Sequence, residues 1–375
     1  MTALGSNSGM HVAGWMAITF AWSTVVTVLT IRYARRQRMF DLPGQRRSHH
    51  VATPRGGGLG IVVAVLVCVL LPMILVNFYA DAVDGPLMIG IALLVVATVG
   101  WIDDHGGLRA RYRFAAHCIA GSLLLVPILE VFSSSTAMIS TTGWWTLIPV
   151  LAMALVLLLA IVWSINLHNF MDGINGLLAS QSIFVFSTLA ILGLLFGDSP
   201  WWTAALATAA AVVGFLPFNF PKARVFMGDV GSGSLGLLVA VSLLYQLGDH
   251  SLDAATGLIA CSAFATDATA TLLSRMWRRR RWYDAHREHL YQGLVRSGYS
   301  HARVVGWYFG WNVLIVLPAM LLIQSPRSVM AVDSYPLQIS AQGMVVLLAV
   351  YALACATWVT GKRHCLQRAR HGRHA

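Results

Sequence analysis

The sequence predicts an all-α polytopic membrane protein of about eleven transmembrane helices, on three observations. Of its 375 residues 57% are hydrophobic and 11% charged, with a mean hydropathy of +0.68, whereas a soluble domain carries roughly 25% charged residues. Apolar runs recur along the whole chain, each about 17–22 residues and long enough to cross a ~30 Å hydrocarbon core. Lys and Arg gather in alternate connections between these runs.

The spans read 10–31, 57–76, 86–101, 116–132, 146–164, 178–196, 201–217, 232–247, 252–273, 303–323 and 337–359. Residues 1–31 hold no Lys or Arg, so the basic start of a signal peptide is missing. Arg32, Arg35, Arg36 and Arg38 follow the first span, which puts the N-terminus outside and the first connection in the cytoplasm. The orientation checks itself: 25 of the 26 Lys and Arg fall on the side assigned to the cytosol, and Arg327 is the exception. The expected organisation is one integral membrane domain over 1–375, with 360–375 a basic cytoplasmic tail. The net charge of +11 then reflects orientation and attraction to anionic lipid or phosphate, not nucleic-acid binding. Five cysteines without a CxxC suggest neither a disulfide framework nor a zinc ribbon.

Every dense polar cluster falls on the cytosolic side, so a site assembled from them is a cytosol-facing active site built from loops. Residues 166–176, NLHNFMDGING, set Asn166, Asn169, Asp172 and Asn175 three apart between two apolar runs. On a helix or tight turn that spacing keeps side chains on neighbouring faces. Residues 41–60 contain Pro43, Gly44, Arg46, Arg47, His49, His50 and Arg55, then three consecutive glycines, 56–58. The glycines are either a flexible joint or a backbone cradle for an anion at a helix N-terminus.

Asp103 and Asp104 end an apolar span. Paired carboxylates there demand a cation, an arginine or a raised pKa, and Arg109, Arg111 and Arg113 follow. Asp229 sits between Gly228 and Gly231 at the start of the eighth span. It reads as a Mg²⁺ ligand, since Mg²⁺ takes one or two carboxylates, or as a helix cap. Residues 277–292 set four arginines between Trp277 and Trp282, suited to lipid headgroups, and bring Asp284, His286, Glu288 and His289 together. With no cysteine and no third ligand, zinc does not fit there. The whole set is equipment for handling phosphate with a divalent metal. A P-loop is absent.

Five motifs in this order, PRGGG (54–58), DD (103–104), NxxNxxDGxNG (166–176), FMGDxGS (226–232) and HREHLYQ (286–292), resemble the polyprenyl-phosphate N-acetylhexosamine-1-phosphate transferases, glycosyltransferase family 4. The resemblance runs from Asp41 to about Gln292. It implies transfer of N-acetylhexosamine-1-phosphate from a UDP-N-acetylhexosamine to polyprenyl (undecaprenyl) phosphate, releasing UMP, with Mg²⁺ as cofactor and Mn²⁺ as its substitute. By motif match, Asp229 and Asn169 would hold the metal. Asp103, Asp104 and Asp172 would be the catalytic carboxylates, the first two beside the lipid phosphate and Asp172 organising the site. Asn175, Asn219 and Phe226 would meet uridine. Arg113 and Arg55 would contact phosphate, and His286 and His289 the sugar or diphosphate.

Asn175 stands where bacterial members commonly carry aspartate. AHREHLYQ lacks a triple histidine and resembles the subgroup that starts O-antigen chains. The implied location is the bacterial cytoplasmic (inner) membrane, with site and C-terminus cytosolic, and a homodimer is compatible with the resemblance. A competing reading, a secondary transporter or lipid flippase, expects an ionisable residue within the membrane, and Asp267 in the ninth span is its carrier.

Overall fold

The computed structural model describes residues 6–42, 51–79, 84–134, 147–196, 201–248, 252–281, 286–324 and 339–371. Pro43, Gly44, Arg46, Arg47, His49, His50, Trp282, Asp284 and Arg327 lie outside the described residues. Among the described residues the protein is all-α apart from one short pair of strands. Eight of the described helices are long and apolar enough to cross a membrane by length and composition.

Helix α1 (Ser6–Arg36) ends where its arginines begin. Strands β1 (Phe40–Asp41) and β2 (Thr53–Pro54) pair antiparallel, Phe40 opposite Pro54. Helix α2 (Leu59–Val65) runs through a π turn (Leu66–Leu70) into α3 (Leu71–Tyr79). Helices α4 (Asp84–Gly106), α5 (Ala110–Ser134), α6 (Leu147–Met171), α7 (Leu177–Phe196), α8 (Trp201–Asn219) and α9 (Asp229–Gly248) follow. Short helices α10 (Ala255–Ala260), α11 (Ser262–Trp277) and α12 (Leu290–Arg296) precede α13 (His301–Trp311), which continues through a π turn (Asn312–Val316) into α14 (Leu317–Ile323). The last is α15 (Ala341–His371).

One expectation is corrected. The ninth span, 252–273, is not one helix: Cys261, at φ −93° and ψ 0°, separates α10 from α11. That stretch is studded with Thr256, Ser262, Thr266, Asp267 and Thr271, all buried, and Thr256, Ser262, Asp267 and Thr271 find hydrogen-bond partners within the protein. The basic segment after residue 360 continues α15 as far as His371. Elsewhere each expected span falls on a described helix, and 86–101 lengthens at both ends.

Helix α9 packs between α4 and α6, and α8 against α1 and α7. Close approach depends on missing side chains, as between membrane helices generally. A Cβ on Gly100 of α4 would lie 2.5 Å from the Val230 nitrogen, and one on Gly236 of α9 would lie 2.6 Å from the Ser164 carbonyl oxygen of α6. The Ser164 hydroxyl donates to the Gly236 carbonyl at 2.7 Å. This packing brings the start of α9 against the ends of α4 and α6.

Candidate active site

The conjunction of these ends creates one cavity. Arg55, Asn169, Asp172, Asn175, Asn219, Phe226 and Asp229 line it, as do Asp41, Gln292 and His301. Four of the connections between spans contribute lining residues, and the Asp103–Asp104 motif meets them at this end of the bundle.

Asp229 is the first residue of α9, and the helix's leading N–H groups need acceptors. They find one on another helix: the Asp104 carboxylate accepts from Asp229 N at 3.0 Å and Val230 N at 3.2 Å. Asp104 is 5% exposed and pairs with Arg55 at 3.7 Å. It is thus a cap supplied across the helix interface and lies behind the cavity wall. Arg113 places one guanidinium nitrogen 2.9 Å from Asp103 Oδ2 and 2.9 Å from Asp229 Oδ2. Asp103 also accepts from the Leu108 N–H, which ties down the α4–α5 turn.

The spacing-of-three ladder splits into two parts. Asn166 and Asn169 sit in the last turns of α6, while Asp172 and Asn175 lie in the bend before α7. Asn166 turns away from the site and donates to the Val162 carbonyl at 2.7 Å. The Asn169 amide donates to the Ser232 hydroxyl at 3.1 Å, linking α6 to α9. The Asn175 N–H donates to His301 Nδ1 at 3.3 Å and its side-chain amide to the Pro221 carbonyl at 3.2 Å. Asn219 accepts from the Gly176 N–H at 2.7 Å and donates to the Val225 carbonyl at 3.1 Å, so it sets the shape of the cavity wall.

Asp172 is half-buried. Burial, with the nearby Asp229 and Asp104 carboxylates adding, pushes its carboxyl up to about 8, against a hydrogen bond from the Gly228 backbone. A raised acid pKa means that folding stability is greatest where the group stays protonated and declines as pH rises toward the folded value. With EDTA present, the thermal midpoint should therefore fall between about pH 6 and pH 8.5, and Asp172→Asn should flatten that slope. A wild-type midpoint that rises over this range would contradict the placement of Asp172. Arg55 answers the negative charge. Burial disfavours its guanidinium, but Asp104, Asp41, Asp229 and Asp103 together hold its pKa above the ordinary value.

The glycine run is not an anion cradle at Gly57 and Gly58. Their N–H groups donate to the Phe226 and Met227 carbonyls at 2.9 and 2.8 Å, and Phe226 N–H donates to the Pro54 carbonyl at 2.8 Å. The run stitches itself to the Phe226 loop, because a buried backbone N–H takes the nearest protein acceptor.

His286 and His289 are not among the residues that line the cavity. His289 is 4% exposed and stacks between the Phe170 and Tyr291 rings at 6.2 and 5.9 Å. Burial, then His289 and Arg275, push His286 down to about 4. Gln292 and His301 take that wall instead. Gln292 closes the quoted histidine motif and was visible there, whereas His301, a single histidine opening a later helix, had no pattern to mark it. At the end of α11, Trp277 is 90% exposed, followed by exposed arginines 278–281, as a headgroup-facing edge requires.

Among the described residues no group of three or more His, Cys, Asp or Glu side chains forms a metal cluster. Mg²⁺ does not need one, because one or two carboxylates, waters and substrate phosphates complete its shell. Asp229 and Asp172, with the Asn169 amide, supply an all-oxygen donor set of that kind, so the residues present fit this ion.

The family model for glycosyl transferase family 4 matches residues 86–246, the stretch that carries Asn169, Asp172, Asn175, Asn219 and Asp229 of the cavity. The decaprenyl-phosphate N-acetylglucosaminephosphotransferase of Mycobacterium leprae is 29% identical, with 88% of each chain covered. The Mycobacterium tuberculosis protein of the same description is 31% identical over 77% of each chain. A probable undecaprenyl-phosphate N-acetylglucosaminyl 1-phosphate transferase of Bacillus subtilis is 26% identical, covering 79% of this chain and 82% of the other. Fold, site and these likenesses define a phosphoglycosyltransferase embedded in the membrane. The chain belongs to glycosyl transferase family 4, the polyprenyl-phosphate hexosamine-1-phosphate transferases.

Proposed function

We propose that the chain transfers N-acetylhexosamine-1-phosphate from a UDP-N-acetylhexosamine to polyprenyl phosphate, as the first membrane step of O-antigen or another cell-surface polysaccharide. One observation carries the reading: Arg55, Asn169, Asp172, Asn175, Phe226 and Asp229, from separate loops, converge on one cavity at one end of the bundle. The Lys and Arg distribution supports assigning that end to the cytosolic face of a bacterial inner membrane.

An oxygen of the lipid phosphate attacks the sugar-bearing phosphorus of the UDP-sugar. The bond from that phosphorus to the bridging oxygen breaks, and UMP leaves with the electron pair. With a phosphate second pKa near 6, most of the acceptor is already ionised at pH 7, so positioning outweighs base chemistry. Asp229 and Asn169 would hold Mg²⁺, which would supply charge neutralisation. Arg55 adds a fixed positive charge at the cavity wall, and Arg113 one on the far side of Asp229, toward Asp103. Phe226 offers a ring for uracil, and the Asn175–Pro221 and Asn219–Gly176 bonds hold the wall around it. Asp172 orders the bend that carries Asn175.

The test is exchange of labelled UMP into a panel of UDP-N-acetylhexosamines, using purified protein, undecaprenyl phosphate and Mg²⁺. Exchange with one or more sugars is expected, and the panel names the sugar. Failure with every sugar, from folded and lipid-supplied protein, overturns the reading.

A further inference from the structure

Asp267 is a buried carboxylate, 2% exposed, that lies on α11 outside the cavity and takes no part in the reaction as derived. Five donors converge on it. Oδ1 accepts from the Leu290 N–H at 2.7 Å, the Trp358 indole N–H at 3.0 Å and the Thr271 hydroxyl at 3.3 Å. Oδ2 accepts from the Tyr308 hydroxyl at 2.8 Å and the Tyr291 N–H at 3.3 Å. A carboxylate has about four lone-pair sites, so these donors fill it. This also removes the transporter reading's carrier, because such a group is a fully engaged junction rather than a station on an aqueous path.

The junction has a direction. Leu290 and Tyr291 open α12, and their N–H groups are the helix's own orphan donors. The other end of Tyr291 reaches the site: its hydroxyl donates to the Phe170 carbonyl at 2.9 Å, one residue from Asn169. The fit there is tight, since a Cβ on Gly173 would fall 2.1 Å from the Tyr291 hydroxyl oxygen. Gln292, next in the chain, lines the cavity and accepts from the His289 N–H at 3.4 Å. On the opposite side Trp358 belongs to α15, whose Lys362 ammonium also donates to the Glu288 carbonyl.

We propose that Asp267 is a positioning residue for the sugar-nucleotide half of the site. It clamps α12 between the C-terminal helix α15 and the end of α6, so that α15 sets the geometry of the bend over residues 169–175 without touching substrate. The proposal rests on the transferase reading only for its kinetic consequence. Among the described residues Asp103 and Arg113, on the other side of Asp229, bond to Leu108, to each other and to Asp229 rather than to this junction, which makes the effect one-sided.

The experiment compares Asp267→Asn and Trp358→Phe with Asn312→Ala. The Asn312 amide donates to Gln181 Oε1 at 2.6 Å, both residues buried and neither at the cavity. With UDP-N-acetylglucosamine and undecaprenyl phosphate as substrates, both junction variants should raise KM for the sugar nucleotide about tenfold while leaving KM for the lipid within about twofold. Amide hydrogen exchange at residues 290–292 should quicken by about tenfold or more in both. Asn312→Ala should lower the thermal midpoint and move neither. Should Asp267→Asn fail to fold, Trp358→Phe carries the comparison. Unchanged exchange at 290–292, or an equal shift of both KM values, would make Asp267 a purely structural hub. Absence of wild-type turnover with every UDP-sugar would instead sink the transferase reading, and the exchange measurement still decides the clamp.

Discussion

Asp229→Asn is expected to lower UMP exchange by on the order of a thousandfold while the protein stays folded, because a lost metal–carboxylate contact removes several kcal/mol of charge stabilisation. The fold should survive for a specific reason. The start of α9 is capped by Asp104 through the Asp229 and Val230 backbone, and the substitution leaves both bonds in place. Arg113 keeps Asp103 as its partner. An asparagine of the same size therefore changes charge and metal affinity with little change in shape. Exchange rate, thermal midpoint and Mn²⁺ affinity measured together check this. Near-normal exchange would remove Asp229 as the metal ligand.

Gly228→Ala should have a comparable effect on activity by a different route, through geometry alone. Gly228 has φ +78°, and a Cβ there would fall 2.3 Å from Asp104 Oδ2. The left-handed backbone costs a side chain about 1–2 kcal/mol, and moving Asp104 off its two N–H donors costs about a further 0.5–2 kcal/mol of cap. Displacing Asp229 by even an ångström is expected to cost about a hundredfold in rate. Gly107→Ala isolates the backbone part, because Gly107 has φ +74° and open space around its Cβ position. It should lose only about 1–2 kcal/mol of stability and retain most of its exchange activity. If the two variants behaved alike, strain rather than the Asp104 contact would explain Gly228.

Much of this site was legible because its chemistry is local in sequence. Asp229 in a glycine-lined turn, the Asn169–Asp172–Asn175 spacing and Arg55 beside the glycine run each mark themselves as polar groups where an apolar chain has no structural need for them. The glycine run left two readings open for an instructive reason. Its N–H groups could serve an anion or a neighbouring carbonyl, and composition does not distinguish the two, whereas the Phe226 and Met227 carbonyls do. The histidines lie apart from the cavity lining. His286 and His289 have the right chemistry for phosphate, but the Asp267 junction and the Phe170 and Tyr291 rings hold His289 inside the protein and bring Gln292 to the wall instead.

The amino-acid sequence by itself determined the membrane class and most of the helices, and it marked polar residues that the fold gathers at the cavity. Hydrocarbon admits only long apolar helices in these numbers, and any polar group beside them must have a partner. Tertiary structure alone decided the roles. Asp104 became the cap of a helix more than a hundred residues away, and Arg113 became the bridge between Asp103 and Asp229. Asp267 became the junction of α11, α12, α13 and α15. These assignments depend on which buried donor lies nearest which acceptor, a matter of ångströms set by helix packing at Gly100 and Gly236, and spacing along the chain carries no record of it.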